Sequence, residues 1–190
     1  MNILSIGLLL GLIMNLKLFG MEGILITGLF LCAFAPNQNY DLKEVRILFY
    51  KTPESKQAAN DLYTKMEDVT EDLPILYGYK GMSELMICYH AFNPIVKLKY
   101  FYRGIHKLDK AIEDDKNNVE LRYLRFSVQC NVPAFINYRS NIDEDKQIVI
   151  NYLSDRQNKN RDEDLYLRMK DFMASNKKCT PEEKQRIKNL

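Results

Sequence analysis

Tryptophan is absent from this chain, histidine occurs only twice, and neither sign of charge dominates. Each shortage narrows the chemistry. With 27 Lys and Arg against 25 Asp and Glu, the net charge is +2, far from the basic excess of a nucleic-acid binder. The two histidines, His90 and His106, are too far apart for H-E-x-x-H, so a helical zinc protease is excluded. No glycine-rich phosphate loop and no G-x-S-x-G is present. The acidic runs Asp114-Asp115 and Asp143-Glu144-Asp145 lack the alternation and glycine of a calcium loop. No cofactor or metal is expected. Tyrosine and phenylalanine, 12 and 9 in number, supply the aromatic area that tryptophan does not.

What the chain has in excess is an apolar beginning. From Ile3 to Ala35 the only charges are Lys17 and Glu22. An unbroken membrane span needs about 20 apolar residues, and the two charges divide this run into pieces closer to the apolar core of a signal peptide. Met14 and Met21 are alternative starts. A start at Met14 gives a short basic region, an apolar stretch from Ile24 to Phe34, and the small-x-small ending Ala33-Phe34-Ala35. Residues 1–35 read as a cleaved signal for export to the periplasm or envelope. An uncleaved inner-membrane anchor and a buried helix are the alternatives. Removing 1–35 takes one charge of each sign and leaves Cys88, Cys130 and Cys179. Three widely spaced cysteines are neither a disulfide framework nor a zinc site. Cys88 and Cys130 read as buried thiols, with a bond between them left open; Cys179 reads as exposed.

From residue 36 to 190 the pattern is helical throughout and predicts one all-α domain. Leu42, Val45 and Phe49 share a face. Thr52-Pro53 reads as a cap followed by proline at the first helical position, before the stripe Ala59, Leu62, Met66, Val69. From Pro74, two stripes run along one helix: Ile75, Tyr79, Met82, Met86, Tyr89, and Gly78, Gly81, Leu85, Cys88, Phe92. A helix apolar on so much of its circumference belongs at the centre, and its glycines predict a close helix contact. After Asn93-Pro94 the stripe is Leu98, Phe101, Ile105, Leu108, Ile112. Lys97, Lys99, Arg103, Lys107 and Lys110 lie opposite, a solvated face or a dock for an acidic partner or anionic headgroups. Residues 119–130 form a further helix, ended by Asn131 and Pro133. Asn141 reads as the cap of a helix with an acidic first turn, and residues 154–161 as a polar linker. Two last helices follow, the second opened by a capping box at Thr180-Pro181-Glu182-Glu183 and expected to fray.

Residues 110–123, K-A-I-E-D-D-K-N-N-V-E-L-R-Y, resemble the junction between two tetratricopeptide repeats. Gly104, Leu108 and Ala111 fall where that pattern has small, large, small, and residues 115–118 fall at its turn. Lys116 replaces the usual proline, Arg122 stands where an aromatic is expected, and no second copy is visible. The likeness implies antiparallel helical hairpins and a trade in binding. More widely, N-V-E-L-R-Y-L-R-F-S-V-Q, N-V-P-A-F-I-N-Y and N-I-D-E-D-K, preceded by Y-K-G-M and H-A-F-N-P, are similar to a family of small exported bacterial proteins. That resemblance implies a signal peptide, a helical domain and no known reaction.

Arg122, Arg125, Gln129, Asn131, Phe135, Tyr138 and Arg139 form the candidate interaction surface, setting guanidinium and amide groups beside aromatics. The competing reading pairs the arginines with Glu120 or the 143–145 acids and puts Phe135 and Tyr138 in the core. The expected function is a non-catalytic binding or scaffold module, with another envelope protein or peptide as partner. A membrane-anchored structural protein and a carboxylate-dependent hydrolase are the alternatives.

Overall fold

Short polar residues cut the chain into helices at nearly every boundary of the computed structural model, which describes residues 40–190. Among these residues the helices are α1 (Leu42–Lys51), α2 (Lys56–Lys65), α3 (Pro74–His90), α4 (Pro94–Asp114), α5 (Val119–Asn131), α6 (Ile142–Ser154), α7 (Arg156–Arg161), α8 (Glu163–Ser175) and α9 (Pro181–Lys188). A 3-10 turn spans Ala134–Ile136, and no strand occurs among the described residues. The fold class is all-α. Asp41–Leu190 forms a compact unit; the signal or anchor expected over 1–35 lies outside the described residues. No helix among those described is long and apolar enough to cross a membrane.

The caps explain the boundaries. Asn93 Oδ1 accepts from the amides of Ile95 and Val96 at 2.8 and 3.3 Å, with Pro94 at the first helical position of α4. Asn118 caps α5 by accepting from Leu121 N at 3.2 Å, and the reciprocal capping box of Thr180 and Glu183 opens α9. Three local expectations are corrected. Thr52 ends α1 rather than starting α2: its hydroxyl donates to the Phe49 carbonyl at 2.7 Å, and Ser55 caps α2. Asn141 precedes α6 without a side-chain capping bond. Residues 156–161 are helical because Asp155 accepts from the Gln157 amide at 2.9 Å, a cap that a reading by apolar periodicity overlooks.

The centre of the unit is the α3–α4 hairpin. Partners run in opposite senses along it: Gly78 faces Ala111 and Leu108, Gly81 faces Gly104 and Lys107, and the Lys97 ammonium reaches Cys88. The helices are antiparallel and touch backbone to backbone. A Cβ on Gly81 would lie 2.6 Å from the Gly104 carbonyl oxygen and 3.0 Å from Leu108 N. One on Gly104 would lie 2.6 Å from Leu85 Cγ. Tyr79, Leu108, Ala111, Leu121, Leu124 and Phe126 bury their side chains where α5 closes on this pair. α2 covers α3 from another side through Ala59, Leu62 and Met66, and Val69 beyond it is buried as well. α8 packs with α6, α7 and α9; the rings of Tyr123 and Phe126 meet Phe172 edge-on at 5.5 and 6.1 Å. α9 does not dangle, since Ile187 is fully buried and Glu183 pairs with Lys146 at 3.3 Å.

The buried stripe of α4 is Phe101, Gly104, Leu108, Ala111 and Ile112. Leu98, expected inside, is exposed. The stripe is centred on the small residues because they set how near α3 comes. Gly81→Ala gains about 1 kcal/mol of helix propensity but drives a methyl into backbone. It is expected to lower the unfolding free energy by about 1–2 kcal/mol net in urea denaturation. Gly78→Ala meets the end of one side chain, Leu121, and is expected to cost less. Equal or raised stability of Gly81→Ala would contradict the backbone contact.

Candidate functional site

Arg122 and Arg125 stand one turn apart on α5, and the spacing aims both guanidiniums at the first turn of α6. Asp145 there is fully buried. Arg125 grips it with two bonds, Nε to Oδ2 at 2.6 Å and Nη2 to Oδ1 at 2.9 Å. Arg122 adds Nη1 to Oδ1 at 3.1 Å and reaches Glu144 at 3.2 Å, while its other nitrogens donate to the Lys116 carbonyl. Arg125 also meets Asp109 of α4 at 3.3 Å. Four segments are thereby joined: α4, the α4–α5 turn, α5 and α6. A carboxylate accepting bidentate bonds from arginine is the strong form of such a pair, and its neighbours hold the Arg125 guanidinium more firmly protonated despite burial.

The rest of the candidate stretch divides between inside and outside. Gln129 is fully buried, and both polar atoms of its amide lack a hydrogen-bond partner. Asn131 is exposed and donates back to the Ser127 carbonyl. Tyr138 is half-buried: its ring meets Phe101 edge-on at 6.1 Å and its hydroxyl donates to Asp109 at 2.8 Å. Arg139 donates to the carbonyls of Gln129 and Val132. Phe135, on the 3-10 turn, is 87% exposed. The seven residues do not share one face. Arg122, Arg125 and Gln129 lie inside, whereas Arg139 and Tyr138 fasten the turn that holds Phe135 in solvent.

A second buried charge cluster joins α1 to α5. Glu120 accepts from Arg46 Nε and Nη2 at 2.6 and 2.5 Å and from the Tyr79 hydroxyl at 2.7 Å. Arg46 Nη1 continues to Asp162 at 2.7 Å. Arg168 stacks over the Tyr50 ring at 3.8 Å, a cation–π contact. Glu120 is thus committed to Arg46 rather than to its neighbours on α5. On α3 the buried Glu84 pairs with Arg103 at 2.6 Å and Lys107 at 3.2 Å. That absorbs much of the basic face expected on α4. Lys97 caps the carbonyls of Cys88 and Tyr89, and Lys110 pairs with Asp114. Lys99 remains exposed.

His90 Nε2 donates to the Thr52 carbonyl at 2.6 Å, tying the end of α3 to the α1–α2 turn. His106 is exposed on α4. Among the described residues no group of three or more His, Cys, Asp or Glu is placed to hold a metal. Cys88, Cys130 and Cys179 are free thiols. Cys179 is buried, against expectation, because the turn before α9 folds inward. Burial pushes the Cys130 thiol up to about 11.

One feature of the surface departs from the expected stripes, since Tyr89, Phe92 and Leu98 belong to them and stay outside. Tyr89, Phe92, Ile95, Val96, Leu98 and Tyr102 are all exposed, and all lie at the α3–α4 turn. Ile95 and Tyr102 sit off the regular stripe, and no Asp or Glu occurs from Leu85 to Leu108. Those two signals together were available in the sequence.

Removing one partner of the α5–α6 clamp leaves charge buried without compensation, which costs about 3–5 kcal/mol. Asp145→Ala is expected to lose stability on that scale in chemical denaturation. Glu163→Ala, which removes an exposed pair with Lys159, is expected to stay within about 0.5 kcal/mol. Comparable losses would contradict the clamp. The buried phenols generate an alkaline limit. Burial holds the Tyr50 hydroxyl neutral up to about 12 and raises those of Tyr79, Tyr123 and Tyr138 as well. Unfolded tyrosines release their protons near pH ~10, so the folded state keeps protons that the unfolded state loses. Stability is full below about pH 10 and falls as the pH rises through the folded values. Absorbance of ionised tyrosine should therefore rise in step with loss of helical circular dichroism above about pH 10. Free titration of all twelve tyrosines with helicity intact would refute this.

No protein-family model, curated protein or solved structure matches the chain.

Proposed function

We propose that this chain is a non-catalytic binding and scaffold module exported to the bacterial envelope and built from tetratricopeptide-like helical hairpins. The hairpin reading is supported by the packing of Gly104, Leu108 and Ala111. These residues, which resemble the repeat junction, form the surface that α3 lies on. Export is supported by the apolar stretch over 1–35 and by the resemblance to small exported bacterial proteins.

The observation that carries the binding reading is the Phe135 turn. A large exposed aromatic offers apolar area for a partner to bury, and here the turn around it is fastened. Asn137 adopts a left-handed conformation, φ 53°, that asparagine tolerates better than most residues. Its amide donates to the Ala134 carbonyl at 3.3 Å. Arg139 ties the turn to α5, and Tyr138 ties it to α4 through Phe101 and Asp109. A pre-fastened aromatic anchor loses little entropy on binding, the property of residues that dominate interfaces. The partner is an envelope protein or peptide with an apolar pocket for one aromatic ring.

Phe135→Ala should leave the urea midpoint unchanged, since the ring makes no buried contact, and should weaken partner capture by about ten-fold or more. A photo-crosslinking residue at 135 is expected to give one discrete adduct in cells, and the same residue at Leu167, exposed on α8, none. Absence of an adduct at 135, or identical adducts at both positions, would sink the reading. For export, the soluble mature chain should begin near Pro36; a chain intact from its start methionine and confined to membranes would replace export with anchoring.

A further inference from the structure

We propose that the α3–α4 turn is a lipid-docking tip that dips into the headgroup region of an anionic membrane. This goes beyond the Phe135 reading and rests on different residues.

The first observation is a graded surface. Phe92, in the connection, is 95% exposed, and Ile95, at the start of α4, is 77% exposed. Val96 and Leu98 follow, and Tyr89 and Tyr102 stand on the two helices behind them. Lys99 and His106 come next on the Ile95–Tyr102 side of α4, exposed and without a hydrogen bond or ion pair among the described residues. At 1.5 Å per residue, Lys99 lies roughly 6 Å and Tyr102 roughly 10 Å behind Ile95 along the axis. An interfacial element sinks roughly 5–10 Å. Aliphatic and phenylalanine side chains thus occupy the leading depth. Behind them Lys99 and the tyrosines, which favour the membrane–water boundary, share the headgroup depth.

The second observation concerns the backbone. A helical turn exposes unpaired amides and carbonyls, and an apolar medium penalises each of them. At this tip several of them are satisfied from within. Asn93 Oδ1 takes the amides of Ile95 and Val96. The Ala91 amide donates to the carbonyls of Ile87 and Cys88, and the Lys97 ammonium donates to those of Cys88 and Tyr89 at 3.3 Å each. Lys97 thereby bends its charge away from the tip, as long cationic side chains do at membrane boundaries.

The third is charge. Leu85 to Leu108 contains no carboxylate and carries Lys97, Lys99, Arg103 and Lys107. Arg103 and Lys107 are neutralised by Glu84. The α1–α2 turn that His90 touches adds Lys51 and Glu54, which offset each other. Among the described residues Lys99 stands unpaired beside the apolar tip, and an anionic surface attracts it. The Phe135 turn is fastened at Phe101 and Asp109, residues other than the exposed side chains of the tip.

The lack of tryptophan makes the test direct. Phe92→Trp in the full chain places one indole at the tip, and Leu167→Trp places one on α8 as control, each checked for native helicity by circular dichroism. With phosphatidylcholine vesicles containing phosphatidylglycerol, emission from the tip indole is expected to shift to the blue and to be quenched by acyl-chain-brominated lipid. Emission from the α8 indole is expected to do neither, even where residues 1–35 hold the chain on the vesicle. Adding Lys99→Glu to Phe92→Trp should weaken the response of the tip roughly tenfold, one attraction being exchanged for a repulsion. A tip indole that stays in water on every vesicle overturns the proposal, as does equal quenching of the control. Shielding of the tip indole by lipid-free envelope extract but not by vesicles also overturns it and assigns the tip to a protein. None of these results bears on the crosslink at Phe135, so the two readings fail separately.

Discussion

Gly81 and Gly104 bring the backbones of α3 and α4 into contact, and the other elements are placed by that contact. With the helices this near, Glu84 is trapped between them and must be answered from α4, which Arg103 and Lys107 do. α5 seals the same pair, with Leu121 lying over Gly78 so closely that a Cβ there would collide with it. The hairpin is then stiff enough to carry an apolar connection into solvent. In a looser pair, Phe92 and Ile95 would fold back onto the nearest apolar surface, as the hydrophobic effect favours.

Buried charge does the joining that apolar packing leaves undone. The α5–α6 clamp on Asp145 and the α1–α5 link through Glu120 each connect helices distant in sequence. Each is saturated with donors: Asp145 faces two guanidiniums, and Glu120 a guanidinium and a phenol. Such pairs are expensive to bury and expensive to break, and their geometry admits few partners. Apolar stripes can slide by a turn against one another; a bidentate arginine cannot. These clusters therefore fix which helix faces which, and they withdraw Arg122 and Arg125 from any surface.

That explains how far the residues could be read before the structure. Most of the helices, the caps at Asn93 and Thr180 and the small-residue face of α3 were legible because each is set by residues within a turn of one another. Arg122 was harder. Its position on the charged side of α5 looks outward from a helical wheel, and acceptors on other segments, Asp145 and Glu144 on α6 and the Lys116 carbonyl, turn it inward. Leu98 failed in the opposite direction: it continues an apolar stripe, yet the backbone contact centres the buried face on Gly104. Thr52 and Pro53 carry a helix-start pattern, but the last carbonyls of α1 compete for the same hydroxyl and win. Within the candidate stretch the grouping of guanidinium, amide and aromatic side chains was legible, while its division into fasteners and one exposed ring depends on contacts to α4 and α5 that spacing does not encode.

The two exposed apolar sites differ in extent, and that difference separates their partners. Around Phe135 a single ring stands out on a turn paired from within: the Pro133 carbonyl takes the Ile136 amide, the Ala134 carbonyl the Asn137 amide, and Arg139 holds the Val132 carbonyl. One ring on a fastened turn suits a protein pocket. At the α3–α4 turn several large apolar and aromatic side chains are exposed together, and Asn93 and Lys97 pair some of the end groups of both helices. Such pairing lowers the cost of entering surroundings that offer few partners. A broad apolar point with part of its backbone already paired suits a medium better than a pocket for one ring. Lipid is the medium that a leading phenylalanine and isoleucine, backed by tyrosine and lysine, describe.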